Sequence, residues 1–150
     1  GLRPFVHGGA SLVTTDGNVE FLRDLATRPH TFHPDSQELE PNAPTFLVVE
    51  DVLSLSEGLN EVQIFDLGEE SHHTDEYLVF FFPSQGILCV GDLTVVPKAG
   101  RTRPPNSREL GLKAFVERVG LEVETLVVSW RLEDQEVAIP YEDFLAIFPE

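Results

Sequence analysis

Two short apolar segments separated by a four-residue turn constrain the fold of this chain more than any other feature of its sequence. The first runs from Tyr77 to Phe82 and the second from Ile87 to Val90, with Pro83-Ser84-Gln85-Gly86 between them. Apolar runs of this length, bounded by turn residues, are typical of strands that are covered on both faces. The sequence therefore predicts a hairpin at the centre of the core.

Segments with strand and helix patterns alternate along the rest of the chain. Asn106 followed by Glu109 resembles a capping box at the start of a helix, and Gly120 supplies its C-terminal stop. Residues 28–44 contain four prolines and are predicted to form a long loop. Strands are predicted at 11–14, 45–49, 52–55, 61–67 and 125–129, and further helices at 19–26 and from 140 onward. This alternation predicts an α/β layered sandwich, formed by a single domain over residues 1–150.

The composition limits the classes of partner. The chain has 150 residues, of which 41% are hydrophobic, so it can build a core of ordinary size. Its formal net charge of −16 argues against nucleic acid and anionic membrane surfaces, because both would be repelled. The lone cysteine, Cys89, lies inside an apolar run and is expected to be a buried small hydrophobe. Because no internal disulfide can form and no apolar stretch could span a bilayer, we expect a soluble, cytoplasmic protein.

Polar residues flank the predicted hairpin in an order that resembles a known family. Ser71-His72-His73-Thr74-Asp75-Glu76 precedes the first strand, and Gly91-Asp92 follows the second. Because adjacent strands lie only ~5 Å apart, a histidine and an aspartate in these positions can converge on one metal ion. With the helix at 106–120 and the strand at 125–129, this order resembles the metallo-β-lactamase fold hydrolases. The resemblance covers essentially the whole chain, including the segments at 1–6, 9–15 and 18–25.

The chain departs from the family pattern at two places. The family's His-x-His-x-Asp-His motif would lie before residue 1, so the resemblance implies a sandwich that lacks its first strands and metal-binding loop. Ser129-Trp130-Arg131 stands where the family has its final metal-binding histidine. Of the family's ligands only His73 and Asp92 are carried over, as residual metal candidates, and no catalytic residue is assigned. The residues expected to line the site are His72, Asp75 and Trp130.

The resemblance implies a degenerate member of the family. Catalytic zinc is normally held by three or more protein ligands, so we expect no cofactor in this chain and no hydrolysis by it alone. The expected function is a non-catalytic binding or interaction module. The alternative is a zinc-dependent hydrolase of an ester, thioester or similar bond, whose other ligands come from missing sequence or a partner chain. An incomplete layer exposes apolar strand surface, which predicts a homodimer or a complementing chain; a small-molecule ligand is a further candidate.

The remaining sequence features do not predict a second functional site. His30 and His33 stand three residues apart, but Pro29 and Pro34 make a helix there unfavourable, so a solvated loop pair is expected. The basic, proline-rich segment 95–105 is predicted to be a surface loop beside the site. A Ser-His-Asp hydrolase is not predicted, because the sequence contains no Gly-x-Ser-x-Gly elbow.

Overall fold

The chain folds as two compact units in a computed structural model that describes residues 1–95, 104–130 and 137–148. The units are Gly1–Glu50 and Asp51–Glu150, and each contains both helices and strands. The α/β class expected from the sequence is therefore confirmed, while the single domain over residues 1–150 stays a prediction. Most of the basic segment 95–105 lies outside the described residues. Within the described part of the chain, no helix is both long and apolar enough to cross a bilayer.

The first unit contains a small parallel sheet and three short α-helices. The strands β1 and β2 pair with Ser11 opposite Thr45, and the apolar core beneath them contains Val6, Leu12 and Ala26. The elements are α1 (Arg3–His7), β1 (Ser11–Thr14), a 3₁₀ turn (Asp16–Asn18), α2 (Val19–Thr27), α3 (Ser36–Leu39) and β2 (Thr45–Val48). The prediction of an unbroken loop over 28–44 was wrong, because α3 forms within it.

A partly buried ion pair between Arg3 and Asp35 holds that segment in place. Arg3 is only 6% exposed, and its guanidinium donates to both carboxylate oxygens of Asp35, at 2.6 and 2.7 Å. The same guanidinium donates to the backbone carbonyls of Ala26 and Arg28. Asp35 also caps α3 by accepting a hydrogen bond from the Glu38 amide at 2.9 Å. The hydrogen bond from Arg3 holds the pKa of the Asp35 carboxyl well below its usual range, despite the opposing effect of burial.

The second unit is built on a six-stranded sheet whose strands follow chain order. All pairs are antiparallel except β6 and β7, which are parallel and joined through the helix α4. The elements are β3 (Val52–Glu57), β4 (Asn60–Asp66), β5 (Leu78–Phe82), β6 (Ile87–Gly91), α4 (Ser107–Val119), β7 (Thr125–Val128), β8 (Ala138–Pro140) and α5 (Tyr141–Leu145). The predicted central hairpin is present, with Phe81 opposite Leu88. Pro140 is the last residue of the unpredicted strand β8 and occupies the N-cap position of α5, one residue before the helix.

One face of this sheet carries the core. Val79, Phe81 and Leu88 are buried there against Leu112 and Phe115 of α4. The strands are not covered on both faces as expected, because burial alternates along them and Phe80 is 37% exposed. Cys89 is likewise only partly buried, and its burial raises the pKa of the thiol. In this protein the continuous apolar run therefore forms a strand that has one face packed in the core and one open apolar face.

Candidate functional site

Asp92 lies at the end of β6, directly after a distorted residue. Gly91 has φ +58°, a left-handed conformation that favours glycine, and the strand pairing shifts its register between Cys89 and Gly91. A Cβ atom at position 91 would collide with the Tyr77 hydroxyl. The bulge therefore turns the chain so that the Asp92 carboxylate leaves the sheet beside Tyr77.

Tyr77 fixes the position of Asp92 from the start of the neighbouring strand. Its hydroxyl donates to Asp92 Oδ1 at 2.7 Å and accepts from the Asp92 amide at 3.0 Å. Burial, assisted by this hydrogen bond to Asp92, raises the pKa of Tyr77 to about 12. The phenol therefore stays protonated at neutral pH and acts as a hydrogen-bond donor.

Arg108 contacts the other carboxylate oxygen. It lies in the first turn of α4, and its Nη1 donates to Asp92 Oδ2 at 3.1 Å. The helix is held by its capping box, in which the Asn106 side chain accepts from the Glu109 amide and the Glu109 carboxylate accepts from the Asn106 amide. The predicted capping box is confirmed, and it sets the first turn from which Arg108 reaches Asp92.

His73 approaches the same oxygen from the loop before β5. Its Nε2 lies 3.3 Å from Asp92 Oδ2, and its ring centroid lies 5.7 Å from that of Tyr77. The buried Ser71 organises the loop, because its hydroxyl accepts from the amides of His73 and Thr74 and donates to the Thr74 carbonyl. The structure thus brings together the two residual ligand candidates proposed from the sequence.

The electrostatic balance at Asp92 favours the carboxylate form. Burial acts to raise the pKa of Asp92, but the Tyr77 hydrogen bond and the electrostatic interactions with His73 and Arg108 outweigh it. The pKa of Asp92 is therefore lowered from its ordinary value. At neutral pH the site is a carboxylate with a hydrogen bond on one oxygen and two cationic or ionisable groups on the other.

The three residues expected to line the site are not among those whose side chains contact the Asp92 carboxylate. His72 has φ +48°, and its ring lies beside Gly111 of α4. Asp75 is exposed on the same loop, and Trp130 after β7 is 62% exposed. Among the described residues, the side-chain groups that contact the Asp92 carboxylate are those of His73, Tyr77 and Arg108.

Sequence reasoning missed Tyr77 and Arg108. The apolar pattern identifies Tyr77 only as the first residue of a strand, and it assigns no role to the hydroxyl group. A signal existed for Arg108, because a cation in the first turn of a helix faces the positive end of the helix dipole. Such a residue is favoured there when a carboxylate lies nearby, and Asp92 is the acidic residue that fulfils this role.

The described residues do not fit a catalytic zinc ion. Two ligands on one tetrahedral zinc, at bond lengths of ~2.0–2.2 Å, lie roughly 3.3–3.5 Å apart, so the spacing of His73 and Asp92 alone would suit a shared ion. The described part of the chain, however, contains no group of three or more histidine, cysteine or acidic residues that could hold a metal. Both oxygens of Asp92 already have partners, and one partner is a guanidinium.

Known structures share this arrangement of strands and helices. A metallo-β-lactamase from Pontibacter korlensis matches 98% of this chain, with a TM-score of 0.53 and 19% identity. The chain has the metallo-β-lactamase fold. The fold also matches a flavodiiron protein from Giardia intestinalis over 97% of this chain (TM-score 0.55, 17% identity) and a sec-alkylsulfatase from Pseudomonas over 96% (0.53, 11%).

These likenesses establish the fold alone. The chain spans 61%, 37% and 28% of the length of the lactamase, the flavodiiron protein and the sulfatase, respectively. Comparisons of the sequence with family models and with curated proteins give no match. The metallo-β-lactamase fold predicted from the sequence is thus confirmed, and the activity must be argued from the site.

Proposed function

We propose that this chain is a degenerate metallo-β-lactamase-fold protein that works as a non-catalytic binding or interaction module. The observation that carries the proposal is the Asp92 carboxylate, whose oxygens are engaged by Tyr77 and Arg108 within the chain itself. A metal ion would have to displace the guanidinium before it could use this ligand. The proposal therefore rests on the donor set at the site and not on a comparison with any relative.

The chemistry of metal-dependent hydrolysis supports the same reading. A bound metal activates water only when it is firmly held, and catalytic zinc sites use three protein ligands with one open position. His73 and Asp92 supply two candidate ligands. A pair of ligands, one of them already neutralised by Arg108, gives an ion neither tight binding nor defined geometry.

The open face of the six-stranded sheet is only partly exposed, because Ile64 on the same face is buried, but it offers a surface for binding. Leu55 and Phe80 lie on this face and are 36% and 37% exposed. At one end of it lies a crevice of about 480 Å³, lined by residues from β3 to β6: Leu55, Ser56, Glu57, Asn60, Glu61, Val62, Phe82, Gln85 and Ile87. Because apolar side chains and carboxylates both line the crevice, it suits a partner chain or a small molecule with an apolar body. A second copy of the chain, or a chain that complements the fold, is the partner proposed for the face as a whole.

The direct test of this function is the metal content of the protein. We expect plasma mass spectrometry, after dialysis against micromolar zinc, to find no stoichiometric zinc on the wild-type chain. His73→Ala and Asp92→Ala serve as controls, and both should match the wild type. A stoichiometric zinc ion on the wild type that is lost in both variants would overturn the proposal.

A second function is favoured by the lengths of the structural neighbours. The chain spans at most 61% of the three proteins compared above, and one of these is a metallo-β-lactamase. The chain would then be part of a zinc-dependent hydrolase of an ester, thioester or similar bond, with His73 and Asp92 as ligands and the others from additional sequence or a partner. Completing that site would require Arg108 to leave Asp92.

The two functions differ in what the assembled protein does. For the hydrolase, zinc binds tightly only in a longer chain or an assembled complex, and His73→Ala abolishes turnover there. For the binding module, zinc does not bind at His73 and Asp92 in a longer chain or in an assembled complex. Metal analysis of the complex isolated with its natural partner therefore separates them.

A further inference from the structure

We infer that Arg108 supplies to Asp92 the positive charge that a metal ion would otherwise supply, and that this guanidinium keeps divalent metal off the His73–Asp92 pair. The inference rests on the function proposed above and gives it a cause. It concerns the chain's own residues, because the excluding group and the two excluded ligands all belong to the second unit.

The spacing of His73 and Asp92 does not by itself exclude a metal ion. His73 Nε2 and Asp92 Oδ2 are 3.3 Å apart, which is close to the spacing of two ligands on one tetrahedral zinc. If distance were the only requirement, His73 and Asp92 could supply two ligands to one metal ion. The obstacle must therefore lie in the other groups that surround Asp92 Oδ2.

Arg108 contacts the carboxylate oxygen that a metal ion would need. Its Nη1 lies 3.1 Å from Asp92 Oδ2, the same atom that His73 approaches. A permanent cation at this distance neutralises the carboxylate and repels a second cation from it. Tyr77 holds the opposite oxygen, so the carboxylate cannot turn to offer a free oxygen without breaking that hydrogen bond.

The ion pair between Arg108 and Asp92 is partly shielded from solvent. The side chains of Arg108 and Asp92 are 34% and 30% exposed, so their attraction is screened less than that of a fully solvated pair. Arg118 at the other end of α4 pairs with Glu70, and these side chains are 59% and 40% exposed. The same helix thus offers a matched arginine whose pair lies outside the site.

The experiment compares zinc binding by three variants with that of the wild type. Arg108→Gln removes the cation, Arg108→Lys keeps a cation at the same position, and Arg118→Gln makes the same change of net charge away from Asp92. Zinc affinity is measured by competition with a chromophoric chelator, and the ring nitrogens of His73 are followed by NMR during the same titration. Circular dichroism confirms that each variant is folded.

We expect Arg108→Gln to bind zinc about tenfold or more tightly than the wild type, with a shift of the His73 ring nitrogens, because the repelling charge is gone. Arg108→Lys and Arg118→Gln should bind no better than the wild type. Equal zinc affinity in the wild type and a folded Arg108→Gln would overturn the inference, as would an equal gain in Arg118→Gln. Stoichiometric zinc on the wild type would instead overturn the proposed function, so the two failures are distinguishable.

Discussion

Gly91 is the residue on which the geometry around Asp92 depends most directly. Its backbone is left-handed, with φ +58°, and the space that a Cβ atom would take is filled by the Tyr77 hydroxyl. Any other residue at this position would strain the backbone and push Tyr77 away from Asp92. The hydrogen bonds that fix the carboxylate therefore depend on the absence of a side chain.

Substitution of Gly91 should cost more than the backbone conformation alone explains. We expect Gly91→Ala to lower the free energy of unfolding by about 2–4 kcal/mol, the sum of left-handed strain and a displaced, partly buried hydroxyl. Gly58→Ala is the matched control, because Gly58 has φ +62° with open space around it, and should cost only about 1–2 kcal/mol. Urea unfolding measures both, and equal losses would contradict this account of Gly91.

At the scale of single residues, the sequence predicted part of the site. That His73 and Asp92 approach each other followed from their positions next to adjacent strands. Tyr77 and Arg108 could not be found in the same way, because their roles depend on contacts between side chains of different elements. The polar end of Tyr77 is invisible to a hydrophobic pattern, and the direction of Arg108 depends on how α4 packs.

The packing of α4 against the loop that precedes β5 sets the position of His73. Gly111 in the middle of the helix faces this loop, and a Cβ there would collide with the backbone carbonyl of Glu70 and touch the His72 ring. The contact requires a glycine although glycine is unfavourable inside helices. At Gly111 the helix and the loop therefore pack backbone against backbone.

Gly111→Ala should therefore have the opposite sign from an ordinary helix substitution. In a solvated helix this change stabilises by about 0.5–1 kcal/mol. Here we expect it to destabilise by at least about 1 kcal/mol, because either the helix or the loop must shift. Thermal unfolding tests the sign, and NMR of the His73 ring tests whether the loop moves. A more stable variant with an unchanged His73 signal would show that the fit is looser than described.

The ion pair between Arg3 and Asp35 should make the first unit sensitive to acid. Because the folded state lowers the pKa of Asp35, its contribution to stability is present above the unfolded pKa, near 4, and is lost as the pH falls below it. Glu38 and His30 also lie near this pair. Asp35→Asn should remove much of the acid dependence, whereas Asp24→Asn, which affects an exposed pair with Arg28, should not.

Hydrogen exchange of the α2 amides between pH 3 and 6 measures this dependence within the first unit. An acid dependence that is the same in Asp35→Asn and the wild type would mean that another group is responsible.

Among the elements, those with strong local patterns were predicted well and those set by distant contacts were not. The helix α4 has a capping box and a C-terminal glycine, and its bounds differ from the prediction by one residue at each end. The short helix α3 depends on Asp35 being held by Arg3, and β8 forms because Ile139 pairs with Leu126. Neither partner is visible in the local sequence.

At the scale of the whole molecule, the open apolar face and the net charge act in opposite directions. Exposed Leu55 and Phe80 favour association, while a formal charge of −16 on each chain opposes it. We expect equilibrium sedimentation to give a dimer at micromolar concentration, with association strengthened by salt because salt screens the repulsion. Phe80→Ser should shift the profile toward monomer. A monomer profile for the wild type at both low and high salt concentration would contradict self-association.

The fold of the whole chain was more accessible to sequence reasoning than its function. The order of a histidine loop, a hairpin, Gly91-Asp92 and a helix indicated the metallo-β-lactamase fold, because that order follows from the strand connections. Function depends on which charge lies beside Asp92. The ion pair between Arg108 and Asp92 is a contact of a few side-chain atoms, which the order of elements does not reveal.

We propose that Asp92 is engaged by Tyr77 and Arg108 rather than by a metal ion. The most direct measurement is an anomalous difference map, collected at the zinc absorption edge, from crystals of the chain equilibrated with zinc. We expect no peak between His73 Nε2 and Asp92 Oδ2, and electron density for Arg108 against the carboxylate. A strong zinc peak bridging those two atoms, with Arg108 displaced, would contradict this proposal.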